Sequence, residues 1–417
     1  MNDPFDQRLA QELSRRRLLA GGAIGTGVLA LPALSQSSAQ VDLHLPGGPS
    51  LRPITTAFPG KGRMILQRTS PPLLETPMEV FDRHILTPTD QFFVRWHWSD
   101  IPTKIDTDTY RLAVTGHVAK PLSLPLGALL RLPRVDLVAI NQCSGNSRGL
   151  FEPRVPGAQW GHGAMGNARW SGVRLKDVLD LAGVRAGAVA VRFGAKDKAL
   201  LPDAPSYEKA LGIDHARDGE VMIAFAMNGA PLPMLNGFPI RLIVPGWFST
   251  YWVKALDAIE VLPAEDDRYW MAKAYRVPTT PGGDVEPGAK GYPTKPISTM
   301  IPRSWVTSHA GGARVAAGEP LEFGGIAMGG DHGVARVDVS VDGGASWRPA
   351  RLGEDLGRYS FRRWRARLDT ATPGTLPIMA RCTSTAGVTQ PIAPIWNPSG
   401  YLRGNVEVTT LSVAGAT

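Results

Sequence analysis

Ile140-Asn141-Gln142-Cys143-Ser144-Gly145-Asn146-Ser147-Arg148 carries a hydrophobic run into a cysteine, and then into a Gly/Asn turn that ends on an arginine. The apolar run Val135 to Ile140 reads as a strand. A cysteine closing such a strand presents its sulfur at a loop, where backbone amides and Arg148 favour the thiolate. A soft thiolate suits a high-valent metal centre. An isolated cysteine is more often a small buried hydrophobe, so the weight falls on what surrounds it. Downstream, Gly157-Ala158-Gln159-Trp160-Gly161-His162-Gly163-Ala164-Met165-Gly166-Asn167-Ala168-Arg169-Trp170 continues the glycine-rich, aromatic pattern.

Outward from this stretch, between about Ile85 and Pro263, short strand-like runs alternate with short helical ones such as Leu175 to Leu181. The strand-like runs are Arg111 to Val118, Val135 to Ile140, Ala188 to Phe193, Val221 to Met227 and Ile240 to Val244. Their spacing is too irregular for a doubly wound sheet, so the fold class is α+β with a mixed α/β domain. Val41 to Arg83 is proline-rich and poor in periodicity, and is expected to wrap over the surface. Its His44-Leu45-Pro46-Gly47-Gly48 is no haem-binding HPGG, because a leucine interrupts it. A Gly/Pro-rich linker, Pro278 to Pro296, leads to a second region. There Val334 to Val341 alternates, Asp342-Gly343-Gly344 supplies a hairpin turn and Trp347 opens the return strand. With Tyr359 to Leu368 and Leu376 to Thr383 this is the pattern of an immunoglobulin-like β-sandwich domain.

The 417 residues are 43% hydrophobic, as in a soluble globular protein, and hold 45 Lys plus Arg against 37 Asp plus Glu, a formal +8. The basic residues are dispersed, which disfavours nucleic acid as a partner and leaves a membrane surface, anionic substrates or acidic proteins. Two cysteines, Cys143 and Cys382, exclude a disulfide framework, a CxxC zinc site and a CxxCH haem attachment in this chain. At the N-terminus Ser14-Arg15-Arg16-Arg17-Leu18-Leu19 precedes an apolar, glycine-rich stretch from Ala20 to Leu34 and a small-residue site, Ser37-Ser38-Ala39. Residues 1–39 read as a twin-arginine export signal. The apolar stretch is shorter than the ~20 residues that span a bilayer, so no membrane span is expected in the mature chain. Removing four arginines and three acids with it leaves +7. Twin-arginine export moves folded proteins, which raises the expectation of a bound cofactor and places the protein in the periplasm.

The Cys143 stretch resembles the C-[AS]-G-N-x-R segment of the sulfite oxidase family of molybdopterin enzymes. Further blocks follow in the family's order: Phe92-Phe93-Val94-Arg95-Trp96-His97 before it, then Met227-Asn228-Gly229-Ala230-Pro231-Leu232-Pro233, Gly237-Phe238-Pro239-Ile240-Arg241 through Trp252-Val253-Lys254, and Pro394-Ile395-Trp396-Asn397. The resemblance covers nearly all of the mature chain. It implies a sulfite oxidase-type molybdopterin domain over 40–290 and an immunoglobulin-like dimerisation domain over 291–417. It implies Cys143 as the single protein ligand to the molybdenum of a molybdenum-molybdopterin cofactor. Catalytic roles would fall to Cys143, Arg95, Arg148, Tyr275, His97 and Trp160. The pterin would be held by Phe93, Arg95, His97, Cys143, Asp197, Asn236, Arg241, Trp252 and Lys254.

These residue types suit the implied chemistry. Sulfite is a small anion, and arginine forks bind oxyanions through paired donors and stabilise negative charge in the transition state. Two departures from animal members stand out. Asn236-Gly237-Phe238-Pro239 replaces His-Gly-Phe-Pro, and Pro398-Ser399 stands where those members place a pocket arginine, so Arg403 or another arginine is the candidate third cation. Both departures look like the bacterial periplasmic sulfite dehydrogenases. His162 and His215 are expected to be structural. With no haem motif in the chain, an electron-accepting partner is required, by resemblance a c-type cytochrome. The +7 charge suits an acidic docking face, in a homodimer or in a heterodimer with that cytochrome. The alternatives are a sulfane dehydrogenase subunit of a thiosulfate-oxidising complex, a molybdenum sulfoxide reductase, and a non-catalytic periplasmic binding protein with Cys143 as packing.

Overall fold

The computed structural model describes residues 39–369 and 371–415, so the export signal expected over 1–39 lies, except for Ala39, outside the described residues. Arg134–Gln142 is a strand whose second half is wholly buried, and it delivers Cys143 at its end. It pairs antiparallel with Met165–Arg174, Gln142 opposite Met165. Met165–Arg174 in turn pairs with Met222–Met227, which also carries Ala230–Pro231 and Arg241–Ile243. Residues buried on both faces explain why these strands read as continuous apolar runs and not as alternation.

A second sheet runs in the order Glu208–Gly212, Ala190–Ala195, Leu256–Leu262, Arg111–Gly116, Leu122–Pro125. Only the pairing of Leu256–Leu262 with Arg111–Gly116 is parallel within it. The helix Leu175–Ala182 buries Leu175, Val178, Leu179 and Ala182, one face at helical spacing. It stops at Gly183, whose φ of 67° is the left-handed C-cap a glycine adopts without strain. At eight residues this is the longest helix among the described residues. The domain is therefore sheet with short helical connections, less helical than a mixed α/β reading anticipates.

Residues 41–83 correct the expectation of an irregular wrapping segment. Gln40–Asp42, Leu51–Thr55, Met64–Arg68, Leu73–Glu75 and Val94–Arg95 form an antiparallel sheet in sequence order, with the helix Met78–Arg83 between its last two strands. Leu73 pairs with Arg95, so this sheet positions an arginine of the candidate site. The linker expected over Pro278 to Pro296 is zipped at its ends, Arg276–Pro278 pairing with Thr294–Pro296.

In the second region Pro302–Val306, Leu321–Gly329, Arg362–Leu368 and Arg351–Leu352 form one sheet. Arg314–Ala316, Val408–Ala414, Gly374–Ser384, Val334–Ser340 and Arg348–Pro349 form the other. Val337, Val339, Trp364, Ile378, Cys382 and Leu411 fill the space between them, as in a β-sandwich. The turn after Ser340 is held by Asp342, whose carboxylate accepts from the Ser346 amide at 3.0 Å. The return strand splits: Arg348–Pro349 stays in the sheet of Val334–Ser340, while Arg351–Leu352 crosses to the facing one. Trp364 is fully buried and its indole N–H donates to the Ile326 carbonyl at 3.2 Å. Trp364→Ala is expected to cost about 3–5 kcal/mol, read as a lower urea midpoint of the transition that unfolds the sandwich. The two regions share a core: Trp305, Ile326, Met328, Tyr359 and Phe361 join the cluster of the first region. The Ile140 amide donates to the Tyr359 carbonyl at 2.9 Å, three residues before Cys143.

Candidate active site and cofactor cleft

Cys143 ends its strand with its amide on the Ala164 carbonyl (2.9 Å), and its own carbonyl accepts from Asn146 (3.0 Å). The Asn146 side chain accepts from the Ala164 amide at 3.0 Å, so the turn closes back on Met165–Arg174. Ser147 follows with φ of 68°, and Arg303 and His162 converge on its hydroxyl at 3.0 and 2.7 Å. His162 is half-buried, stacked on Trp305 at 4.9 Å and pushed down to about 4 by desolvation, so its ring is neutral. The loop carrying Cys143 and Arg148 is thus pinned from both regions of the chain. The Arg148 guanidinium packs so closely on Gly145 and Gly157 that a Cβ at either would stand 2.5 and 2.7 Å from its nitrogens. Any larger residue would displace it.

Cys143, Arg95 and Tyr275 line two adjoining cavities at once. The inner cleft is also lined by Phe93, His97, Asn236, Arg241, Trp252 and Lys254 among the residues expected to hold a pterin. The outer cavity is an open vestibule of about 790 Å³ that adds Arg148 and Trp160, with Arg68, Lys273 and Arg276 also lining it and, among the described residues, no carboxylate in its wall. Asp197 lines neither. It is buried, its carboxyl is raised chiefly by burial, and Lys254 and Arg95 are the cations nearest in effect. Arg403 is also elsewhere, committed to Glu407 through a two-pronged contact at 2.7 and 2.9 Å. It is not the third pocket cation.

His97 and Tyr275 meet at 2.5 Å through Nε2 and the phenol oxygen. Burial, reinforced by Arg95, Lys254 and Lys209, drives the imidazole well below its ordinary range, so it stays neutral. Burial raises the Tyr275 phenol, so it remains a donor at neutral pH. Tyr275 has a φ of 56°, costing of order 1–3 kcal/mol at a non-glycine residue. Residues given no role in the sequence reading complete the cleft: Tyr207, stacked on His97 at 3.4 Å, with Asn141, Ser144, Leu235, Ser249 and Thr250. Lys209 also went unread. It is fully buried, donates to the Trp270 carbonyl at 2.7 Å and lies 5.5 Å from the Tyr275 ring. Asn141 and Ser144 stood inside the quoted motif and were legible there, whereas nothing near Tyr207 or Lys209 marks them.

Asn236, where the resemblance puts a histidine in animal members, has its side chain held by the protein. Its Oδ1 accepts from Lys61 Nζ at 2.7 Å and its Nδ2 donates to the Phe93 carbonyl at 3.2 Å. Lys61 also donates to the carbonyls of Thr89 and Phe92, and burial lowers it to about 7.

The donor set fits a polyanionic cofactor. Arg95 Nη1, Asn141 Nδ2, Ser144 Oγ and Arg241 Nε are buried at the cleft without a hydrogen-bond partner, a costly arrangement unless a ligand satisfies it. Burial pushes Arg241 down to about 9 and Lys254 to about 7, so cationic charge has been gathered where the protein alone does not compensate it. A phosphate-bearing molybdopterin would supply negative charge to these donors. Among the described residues no cluster of three His, Cys, Asp or Glu stands ready to hold a bare metal ion.

Comparison with known proteins bears on this geometry. Residues 98–270 match the family description "Oxidoreductase molybdopterin binding domain", and residues 295–406 match "Mo-co oxidoreductase dimerisation domain". The chain is 34% identical to mitochondrial sulfite oxidase of Homo sapiens over 341 residues, covering 79% of this chain and 62% of that protein. It is 34% identical to sulfite oxidase of Gallus gallus, covering 79% and 73%. It thus spans about three fifths of the length of the human relative. The sulfane dehydrogenase SoxCD of Paracoccus pantotrophus superposes with a TM-score of 0.70 at 24% identity, covering 93% of this chain and 92% of that one.

Proposed function

The chain belongs to the sulfite oxidase family of molybdopterin oxidoreductases, and on that premise we propose that it oxidises sulfite to sulfate in the periplasm and passes the electrons to a c-type cytochrome. The molybdenum-molybdopterin cofactor that the family carries supplies the two-electron oxidation and the oxygen transferred to sulfur. The observation that carries the proposal is Cys143 between the two cavities, its sulfur facing a cation-lined cleft on one side and an arginine-bearing vestibule on the other.

The chain's own residues divide the remaining tasks. Cys143 is the thiolate that ligates the metal, and Phe93, Asn236, Arg241, Trp252 and Lys254 wall the cleft for the pterin. Arg95, which lines both cavities, and Arg148, which lines the vestibule, bind the oxygens of the incoming anion. The Tyr275 hydroxyl donates to the substrate or to the oxygen in transfer, with neutral His97 Nε2 at its back to exchange a proton. Oxidation of sulfite with water releases two protons as well as two electrons, and this pair offers a route for one of them. Tyr275→Phe removes that route without touching the cleft's charges. It is expected to slow turnover by roughly 10–100-fold, from the size of general acid–base effects, while molybdenum content by elemental analysis stays that of the wild type.

The electrons leave singly to a partner, and the basic vestibule with the mature charge of +7 suits an acidic docking face. We read the C-terminal sandwich as an immunoglobulin-like dimerisation module. A second reading has support in the vestibule itself: about 790 Å³ is far more than a free sulfite ion needs, and it would admit a sulfane sulfur borne on a protein side chain. Metal analysis combined with sulfite-dependent reduction of cytochrome c by the exported chain tests the proposal. Near-stoichiometric molybdenum without sulfite turnover would reject sulfite in favour of the carrier-bound sulfur, and absence of molybdenum would return the chain to a binding role.

A further inference from the structure

The loop Asn397 to Leu402 carries none of the predicted catalytic residues, yet it forms a wall of the vestibule. Asn397, fully buried, brackets Tyr401: its Nδ2 donates to the Tyr401 carbonyl at 2.9 Å and its Oδ1 accepts the Tyr401 amide at 3.2 Å. Within that bracket the Ser399 carbonyl accepts from Arg148 Nε and Nη2 at 3.3 and 3.2 Å. Gly400, with φ of 60°, lies so close that a Cβ there would meet Arg148 Cγ at 2.7 Å and Nε at 2.8 Å. The half-buried Tyr401 ring lies parallel to Tyr275, 5.6 Å between centroids with a 3° interplanar angle. The Arg148 guanidinium stands 5.1 Å from the centroid of the same ring. The Tyr401 phenol has an O–H to donate, and no protein group takes it among the described hydrogen bonds of a residue that lines the same cavity as Arg95 and Cys143.

We infer that Tyr401 is an anion-binding residue of this site, its O–H donating to an oxygen of the bound sulfur oxyanion while its ring and Ser399 hold Arg148 in register for the same anion. Arg148 enters from the loop after Cys143 and Tyr401 from the chain's C-terminal segment, so the anion seat is complete only when both regions are in place. The inference rests on the proposal that the substrate is a small sulfur oxyanion, and it adds a residue to that substrate's seat.

The test uses the molybdenum-loaded full chain. Sulfate, a tetrahedral dianion of the same class, is titrated calorimetrically into the oxidised wild type and Tyr401→Phe, alongside sulfite kcat and KM. Tyr401→Phe should weaken sulfate about tenfold and raise the sulfite KM by a similar factor, the effect of losing one hydrogen bond to a charged partner. Its kcat should stay within about twofold and its molybdenum content unchanged. Sulfate affinity equal to the wild type in a loaded Tyr401→Phe chain overturns the inference, as does loss confined to kcat. A second reading of the same contact needs no variant: saturating sulfate should suppress nitration of Tyr401 by tetranitromethane in the wild type, measured by mass spectrometry, and undiminished nitration overturns it equally. A wild type that binds sulfate but turns over no sulfite would sink the proposed reaction, while the titration and the nitration would still decide Tyr401.

Discussion

Cys143→Ser is expected to lower sulfite turnover by at least about a thousandfold, roughly 4 kcal/mol in the barrier, while the chain still folds and exports. Sulfur to oxygen is a small change in volume at a residue only 6% exposed, and both backbone contacts of Cys143 run through main-chain atoms that serine keeps. On the role proposed for Cys143, what changes is the metal's ligand. A serine hydroxyl is a harder donor and far less acidic than a thiol, so the covalency that a high-valent molybdenum draws from a thiolate is not replaced. Nothing nearby offers a substitute, because the other cysteine, Cys382, is buried in the core of the distant sandwich and burial pushes its thiol up to about 12. Steady-state sulfite-dependent cytochrome reduction, with molybdenum and pterin quantified on the same sample, measures the effect. Turnover near wild type in a fully loaded Cys143→Ser chain would remove Cys143 from the chemistry.

The Cys143 to Arg148 stretch was legible because its spacing is local: strand, sulfur, turn and arginine succeed one another within nine residues, and the fold only has to close the turn. Arg95 and His97 were legible through an ordered block and Tyr275 through the resemblance, although it is the sheet of Leu73–Glu75 and Val94–Arg95 that positions Arg95. That sheet itself went unread. Its strands are three to five residues long where they run from Gln40 to Glu75, too short for a period of two to show, and Pro53 interrupts one of them. The same brevity hid the hairpin that closes the Pro278 to Pro296 linker. Lys61, Lys209, Tyr207 and Tyr401 carry no local mark because each acts through a neighbour far along the chain. Lys61 reaches Asn236 across 175 positions and Arg148 reaches Ser399 across 251. Arg403 shows the converse error: a basic residue in the right neighbourhood of the sequence is spent on Glu407, and only the packed structure reveals it.

Arg95→Gln is expected to raise the sulfite KM by about a hundredfold and to lower kcat/KM by somewhat more, about 3 kcal/mol in transition-state binding. The size follows from where the charge sits. An arginine guanidinium keeps its proton at every pH the enzyme meets, and this one is buried facing Tyr275 and Cys143. Its Nη1 is buried without a hydrogen-bond partner, and a donor in that state costs stability until an anion accepts from it. Glutamine keeps a polar group but removes the charge and the planar fork, so the anion loses an ionic partner in a desolvated pocket, where such contacts are strongest. Arg148 remains, which is why the loss is expected in KM more than as complete inactivity. Arg95→Lys restores the charge without the fork and should recover only part of the affinity. The main-chain carbonyl at this position accepts from Lys254 at 2.7 Å, a contact that neither substitution removes, so the cleft wall behind the side chain is kept and molybdenum content should not follow KM. Sulfate inhibition constants that weaken in step with KM from the wild type through Arg95→Lys to Arg95→Gln are the expected pattern. Affinity for sulfate that ignores the substitution would place the substrate's negative charge elsewhere in the vestibule.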